Sequence, residues 1–179
     1  LVKLSGARYA LLTTKHHDGV APWNSAENHY NVVKNTPAKR DLIEPLVNAL
    51  RKNDIKVGAY FSLIDWSHPD YPGFLKDSSR YKVANDPARW KRFQGFFQNQ
   101  LTELSTKFNP DLWWFDGDWE HSNAEWNASK IRQDILTANP NAIMNGRLQG
   151  YGDYATPEQN MPITRPMRVG LDGKAHATL

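Results

Sequence analysis

Two stretches of this sequence concentrate groups that do chemistry. The first is Lys15-His16-His17-Asp18-Gly19, directly after an apolar run at residues 9–15. Imidazoles at such a place could hydrogen-bond a polyhydroxylated ligand, ligate a metal, or serve the fold alone. Neighbouring residues of a strand point to opposite faces, so His16 and His17 converge only if the strand ends before them. The second stretch is Trp113-Trp114-Phe115-Asp116-Gly117-Asp118-Trp119-Glu120, with three carboxylates and three tryptophans in eight residues. On a strand, Trp114 and Asp116 share one face, while Trp113 and Phe115 take the other. One aromatic and one carboxylate would then enter one pocket, with Trp113 and Phe115 in the core. Gly117 allows the chain to turn sharply there. The plainer alternative is a solvated acidic turn.

Three more groups follow in order. Arg147 closes an apolar segment at 142–147. Its planar fork suits a bidentate contact to a carboxylate or to vicinal hydroxyls, or else a surface ion pair. Beyond it lies a loop marked by Gly150, Gly152 and Pro157. That loop carries Asp153 and Glu158. A loop carboxylate facing a strand-borne one is the pairing that glycoside hydrolysis uses.

These groups need a scaffold, and the pattern supplies one. Short runs at 9–15, 56–62, 111–117 and 142–147 read as strands. A helix is expected from Asp41, with Glu44 as capping partner and Leu42, Ile43, Leu46, Val47 and Leu50 as its apolar stripe. Trp90, Phe93, Phe97, Leu101, Leu104 and Phe108 recur at helical spacing and stop at Asn109-Pro110. A third helix is expected over 123–138, carrying Trp126, Ile131 and Ile135. Residues 65–85 read as a polar loop.

Strands alternating with helices make βα units around a parallel sheet. A doubly wound sheet usually carries a glycine-rich phosphate loop, and no such motif occurs here. A (β/α)8 barrel instead gathers chemistry at the C-terminal ends of successive strands. Here His16-His17-Asp18, Ser62–66, Asp116 and Arg147 occupy those ends. A full barrel takes about 250 residues. The expected fold is therefore α/β, a partial TIM-like barrel with about half of its βα units. Residues 1–162 form that piece, and 163–179 show no convincing periodicity.

Composition narrows the chemistry. There is no cysteine among 179 residues, which excludes disulfides, Cys-ligated zinc and a thiol nucleophile. Net charge is +3 without a Lys/Arg cluster, a poor footprint for nucleic acid. No run approaches the ~18 apolar residues of a membrane span, and no charged-then-apolar leader is visible. Seven each of Trp, Tyr and Phe fit a large core, and equally fit the stacking of sugar faces.

Several blocks resemble glycoside hydrolase family 29, the α-L-fucosidases. They are residues 9–19 with Trp23-Asn24-Ser25, then 31–37, Arg40-Asp41-Leu42, 57–62 with Asp65-Trp66-Ser67, 111–117, Asn145-Gly146-Arg147 and 153–158. Their order is the family's order. The resemblance implies a retaining exo-glycosidase acting on terminal α-L-fucose of oligosaccharides or glycoconjugates. It implies Asp116 as nucleophile and Glu158 as acid/base; should another acid serve, Asp153 or Glu120 is next in line. It implies His16, His17, Tyr60, Trp114 and Arg147 as sugar contacts, with neither cofactor nor metal. A secreted or periplasmic location goes with the resemblance; oligomeric state does not follow from it. Two other readings stand beside this one. One is a non-catalytic sugar-binding or inactive truncated barrel. The other is a metal-dependent hydrolase using His16, His17 and Asp118.

Overall fold

The computed structural model describes residues 1–74 and 78–157, and the backbone of two short strands at 167–169 and 175–177. Strands β1 (Tyr9–Lys15), β2 (Lys56–Ser62), β3 (Leu112–Asp116) and β4 (Ile143–Met144) form one sheet in the order β1-β2-β3-β4. Every pair is parallel. Sequential order without reversal is the barrel arrangement, since a doubly wound sheet reverses at a switch point.

The connecting helices are α1 (Val32–Asn35), α2 (Ile43–Lys52), α3 (Pro87–Phe108), α4 (Asn123–Trp126) and α5 (Ala128–Ala138). The six periodic residues of α3 are all buried, and they pack in one core with Phe61, Trp113, Phe115, Ile131 and Ile135. Asp86 caps its start by accepting from the Arg89 amide, with Pro87 at the first position. Asn109, in the left-handed region at φ 43°, ends it.

Some boundaries differ from the sequence expectation. Helix α2 starts at Ile43 rather than Asp41, because the Asp41 carboxylate accepts from the Ile43 and Glu44 amides from outside the helix. Ile43, Val47 and Leu50 face the core, whereas Leu42 and Leu46 are exposed. The expected third helix is two helices, broken where Asn127 adopts φ 55°. The expected strand at 142–147 pairs only at Ile143 and Met144. Beyond it the Asn145 side chain replaces the ladder. Its amide donates to the Phe115 carbonyl at 2.9 Å, and its Oδ1 accepts from the Phe115 amide at 2.8 Å. In the C-terminal segment, β5 (Met167–Val169) and β6 (Ala175–Ala177) form an antiparallel pair, too short to register as periodicity.

Candidate active site

The site sits at the C-terminal ends of β1, β2 and β3. Alternation along β3 buries Trp113 and Phe115 among the helices and turns Trp114 and Asp116 to the opposite face, as the sequence pattern requires. Gly117, at φ 80°, then turns the chain, and a Cβ there would lie 2.6 Å from Ile64 Cγ1. Only glycine fits both demands.

Asp116 is held on both oxygens. The Tyr60 hydroxyl donates to Oδ2 at 2.7 Å, and an Arg147 guanidinium nitrogen donates to Oδ1 at 2.9 Å. Tyr60 is the in-register neighbour of Trp114 on β2, which brings its ring beside the β3 exit. Arg147 also donates to Thr156 Oγ1 at 3.1 Å and lies over the Trp114 ring. Burial alone would raise the Asp116 carboxyl, but the Tyr60 hydroxyl and the Arg147 guanidinium hold it below its ordinary value. Asp116 is therefore an ionised carboxylate with a spare lone pair on each oxygen.

The histidines converge through a feature the sequence does not announce. A bulge between Thr13 and Lys15 shifts the β1–β2 register, so Lys15 pairs with Phe61 and turns to the helix side. Thr14 anchors the bulge by donating to the Tyr60 carbonyl at 2.6 Å. The strand then ends, and the His16 and His17 rings lie 4.3 Å apart. His16 stacks on Tyr60 at 5.5 Å between centroids. His17 stands edge-on to Trp66 and Trp119.

The tautomer of His17 follows from its partner. Ser62 Oγ donates its one proton to the Ile64 carbonyl at 3.0 Å, so it accepts from His17 Nδ1, 2.6 Å away. His17 Nε2 is left as a lone-pair acceptor for a ligand hydroxyl. Burial, reinforced by the neighbouring His16, lowers the His17 pKa and favours this neutral form. Below the turn, Lys15 Nζ lies 3.5 Å from Asp65 Oδ2, both fully buried, and over the Phe61 ring. Burial lowers the Lys15 pKa against the opposing pull of Asp65. Asp65 in turn accepts from the Ser67 and His68 amides. This pair ties the β1 exit to the β2 exit.

The sequence candidates thus fall into three groups. His16, His17, Tyr60, Trp114, Asp116 and Arg147 gather at one place. Glu158 lies outside the described residues. Asp153 is spent elsewhere: it accepts from Arg132 at 2.7 Å and from the Met144 amide at 2.8 Å. Glu120 accepts the hydroxyl of buried Tyr71. Asp118, a member of the metal reading, accepts from the Gln149 amide. Among the described residues no group of three or more His, Asp or Glu is placed to hold a metal ion, and no helix is long and apolar enough to cross a membrane. Ser62 and Trp119 belong to the site although their types did not single them out; their position at strand exits was the available signal.

Fold and site together define a segment of a parallel α/β barrel with a carboxylate-centred cluster of aromatic and polar side chains at its strand ends. The alpha-L-fucosidase family profile matches residues 1–168, and the chain belongs to that family. It is 36% identical over 146 residues to the tissue alpha-L-fucosidase of Bos taurus, covering 78% of this chain and 28% of that protein. The human tissue alpha-L-fucosidase is 33% identical over 140 residues, with 78% and 28% coverage. Among solved structures, alpha-L-fucosidase isoenzyme 1 from Paenibacillus thiaminolyticus superposes with TM-score 0.82 at 34% identity, over 98% of this chain and 45% of that one. A GH29 alpha-L-fucosidase of Bacteroides thetaiotaomicron, a trapped covalent intermediate with 2-fluoro-fucosyl fluoride, gives TM-score 0.74 at 32% identity, over 98% and 37%. The chain spans less than a third of the length of these curated relatives.

Proposed function

We propose that the protein carrying this chain is a retaining exo-α-L-fucosidase that acts on fucosylated glycans. The observation that carries this reading is the Asp116 carboxylate clamped by Tyr60 and Arg147, with His16 stacked on the same Tyr60 and Trp114 beside the same Arg147. Membership of the family and the trapped intermediate of the Bacteroides relative support it.

In this reading an Asp116 oxygen attacks the anomeric carbon as the bond to the leaving oxygen breaks, giving a covalent fucosyl-enzyme. Arg147 and the Tyr60 hydroxyl keep the nucleophile ionised and aimed. His17 Nε2 accepts a sugar hydroxyl, His16 supplies a second polar contact, and Trp114 walls the pocket beside Arg147. A second carboxyl group protonates the leaving oxygen and then takes a proton from the water that attacks the same carbon. We assign that role to Glu158, the position at which the family resemblance implies it.

The test is covalent trapping with 2-fluoro-α-L-fucosyl fluoride. One fluoro-fucosyl adduct is expected, located by peptide mass spectrometry on Asp116 and absent from Asp116→Asn. An adduct on another carboxylate removes Asp116 from the role. An enzyme that releases no fucose from aryl α-L-fucosides leaves the sugar-binding reading in its place. Glu158→Gln is expected to slow poor leaving groups far more than activated phenols, because only the former need a proton. Equal losses would return the role to Glu120.

A further inference from the structure

Arg147 stands on a turn past the end of β4, where no strand pleat aims its side chain. One guanidinium nitrogen donates to Asp116 Oδ1 at 2.9 Å, and its Nε–H donates to Thr156 Oγ1 at 3.1 Å. The segment that brings Thr156 there is itself held against β4. The Asp153 amide donates to the Met144 carbonyl at 2.6 Å, and Asp153 Oδ2 accepts from the Met144 amide at 2.8 Å. Tyr154 bridges Asn145 in parallel, and its buried ring sends the hydroxyl to the Trp113 carbonyl. From α5, Arg132 donates to the Tyr151 carbonyl at 2.9 Å and to Asp153 Oδ1 at 2.7 Å. A Cβ on Gly152 would lie 1.9 Å from the Asn145 carbonyl oxygen, so this close approach needs glycine. Residues 151–154 are thus docked on the exit of β4 and tied to α5, and Thr156 follows two residues later.

We propose that Thr156 is a positioning residue for the nucleophile: it fixes the Arg147 guanidinium on Asp116, and the Asp153–Arg132 pair acts through it. The inference rests on the fucosidase function proposed above and deepens it. A guanidinium is a rigid plane on a flexible stem, so an acceptor at Nε sets the direction of its terminal N–H groups. Thr156 supplies that acceptor, and its β-branched side chain has few rotamers to choose from. Without it the plane is free to tilt, and Asp116 Oδ1 loses a donor held in one direction. The carboxylate is then less well aimed at the anomeric carbon, although the positive charge stays nearby. Asp153 and Arg132 reach the same end from further out, by holding residues 151–156 where Thr156 meets Arg147. Asp153 thus serves the reaction without touching the sugar.

The experiment measures kcat/KM of the whole protein that carries this chain on aryl α-L-fucosides of graded leaving groups. Thr156→Val keeps the side-chain shape and removes the acceptor. It is expected to lower kcat/KM about tenfold, the scale of one lost hydrogen bond to a charged donor. The factor should be the same for good and poor leaving groups, because the attack needs an aimed nucleophile whatever departs. Thr156→Ser should restore kcat/KM to within about threefold of wild type. A loss concentrated on poor leaving groups would place Thr156 in protonation of the leaving oxygen and overturn the proposal. The second measurement is a double-mutant cycle with Arg147→Lys, which keeps the charge and lacks the Nε–H. In that background Thr156→Val should cost less than about twofold. Losses that multiply would show that Thr156 acts apart from Arg147, and overturn the proposal as well. Arg132→Met, at a partly exposed position, should lower kcat/KM several-fold alone and add little in the Arg147→Lys background. It carries the same test if Thr156→Val does not fold, which thermal unfolding reports. A wild-type protein that releases no fucose defeats the fucosidase reading itself. An active wild type matched by Thr156→Val defeats this inference alone.

Discussion

Strand β3 serves two regions that differ in every physical respect. Its helix-facing side, Trp113 and Phe115, is dry, with stacked rings 5.7 Å apart and nothing to ionise. Its other side, one residue out of step, carries Trp114 and the charged Asp116, held by Tyr60 and Arg147. The helix side is bound by dispersion and area removed from water, which tolerate small shifts of shape. The site side is bound by a few directed hydrogen bonds, each with one donor and one acceptor. Loss on the first side should therefore appear as lost stability, and on the second as lost chemistry.

The largest expected effect is on the site side. Asp116→Asn in the whole protein should lower kcat by on the order of 10⁴-fold or more, with the thermal midpoint shifted by only a few degrees. Steady-state kinetics and thermal unfolding on one preparation check both halves. A collapse of the midpoint alongside activity would erase the contrast between the two sides.

Next comes the opposite test. Phe115→Ala should destabilise by about 3–5 kcal/mol, while kcat per folded molecule stays within about threefold. Denaturant unfolding with activity measured on the folded fraction decides it. A large kcat loss in fully folded protein would mean that the core side also tunes the site.

The two regions should also respond differently to acid. The carboxyls of Asp116 and Asp111 titrate lower in the folded chain than when unfolded. In both, burial raises the value but is outweighed. The Tyr60 and Arg147 contacts do this at Asp116, and the Val57 amide, Lys56 and Arg51 at Asp111. Between folded and unfolded values the unfolded chain holds more protons, so stability rises with pH there. The contribution is complete above the unfolded value and vanishes as pH falls through the folded one. His17, lowered by burial and by His16, follows the same sign nearer neutrality. Thermal midpoints measured from neutral to acidic pH should therefore fall, and Asp111→Asn should flatten the acid limb. Phe115→Ala should shift the whole curve down without changing its slope. An unchanged slope in Asp111→Asn would contradict the assignment.

The smallest effect sharpens the comparison within the site. Ser62→Ala removes the acceptor for His17 Nδ1–H, worth about 1 kcal/mol, or roughly fivefold in kcat/KM. Nitrogen NMR of the imidazole should show the Nδ1–H form lost or mixed in that variant. Retention of a single Nδ1–H tautomer would show that Ser62 does not set it.

Much of this was legible in the residues, for reasons that can be named. The period of two along 112–116 assigned Trp113 and Phe115 to the core and Trp114 and Asp116 to the site, because a strand has no other way to present them. Helix α3 followed from its apolar spacing and its stop at Asn109-Pro110. The strand-exit positions of His16, Asp116 and Arg147 pointed to a barrel mouth. Boundaries fared worse where a side chain stood in for backbone. Asn145 continues the β3–β4 pairing that strand propensity had credited to 145–147, and Asp41 caps a helix it does not enter.

Sequence by itself therefore determined the elements, their alternating faces and the residue types at the strand ends, since these depend on local periodicity and steric preference. The tertiary structure alone decided which of those residues meet. Arg147 reaches Asp116 across 31 positions, Tyr60 across 56, and Ser62 reaches His17 across 45. It decided that a bulge sends Lys15 into the core and brings two adjacent histidines to one side. It decided that Asp153 is spent on Arg132, and that Trp119 stands edge-on to His17. Hydrogen bonds and close packing act over a few ångströms between residues far apart in the chain, and no pattern along the chain encodes those distances.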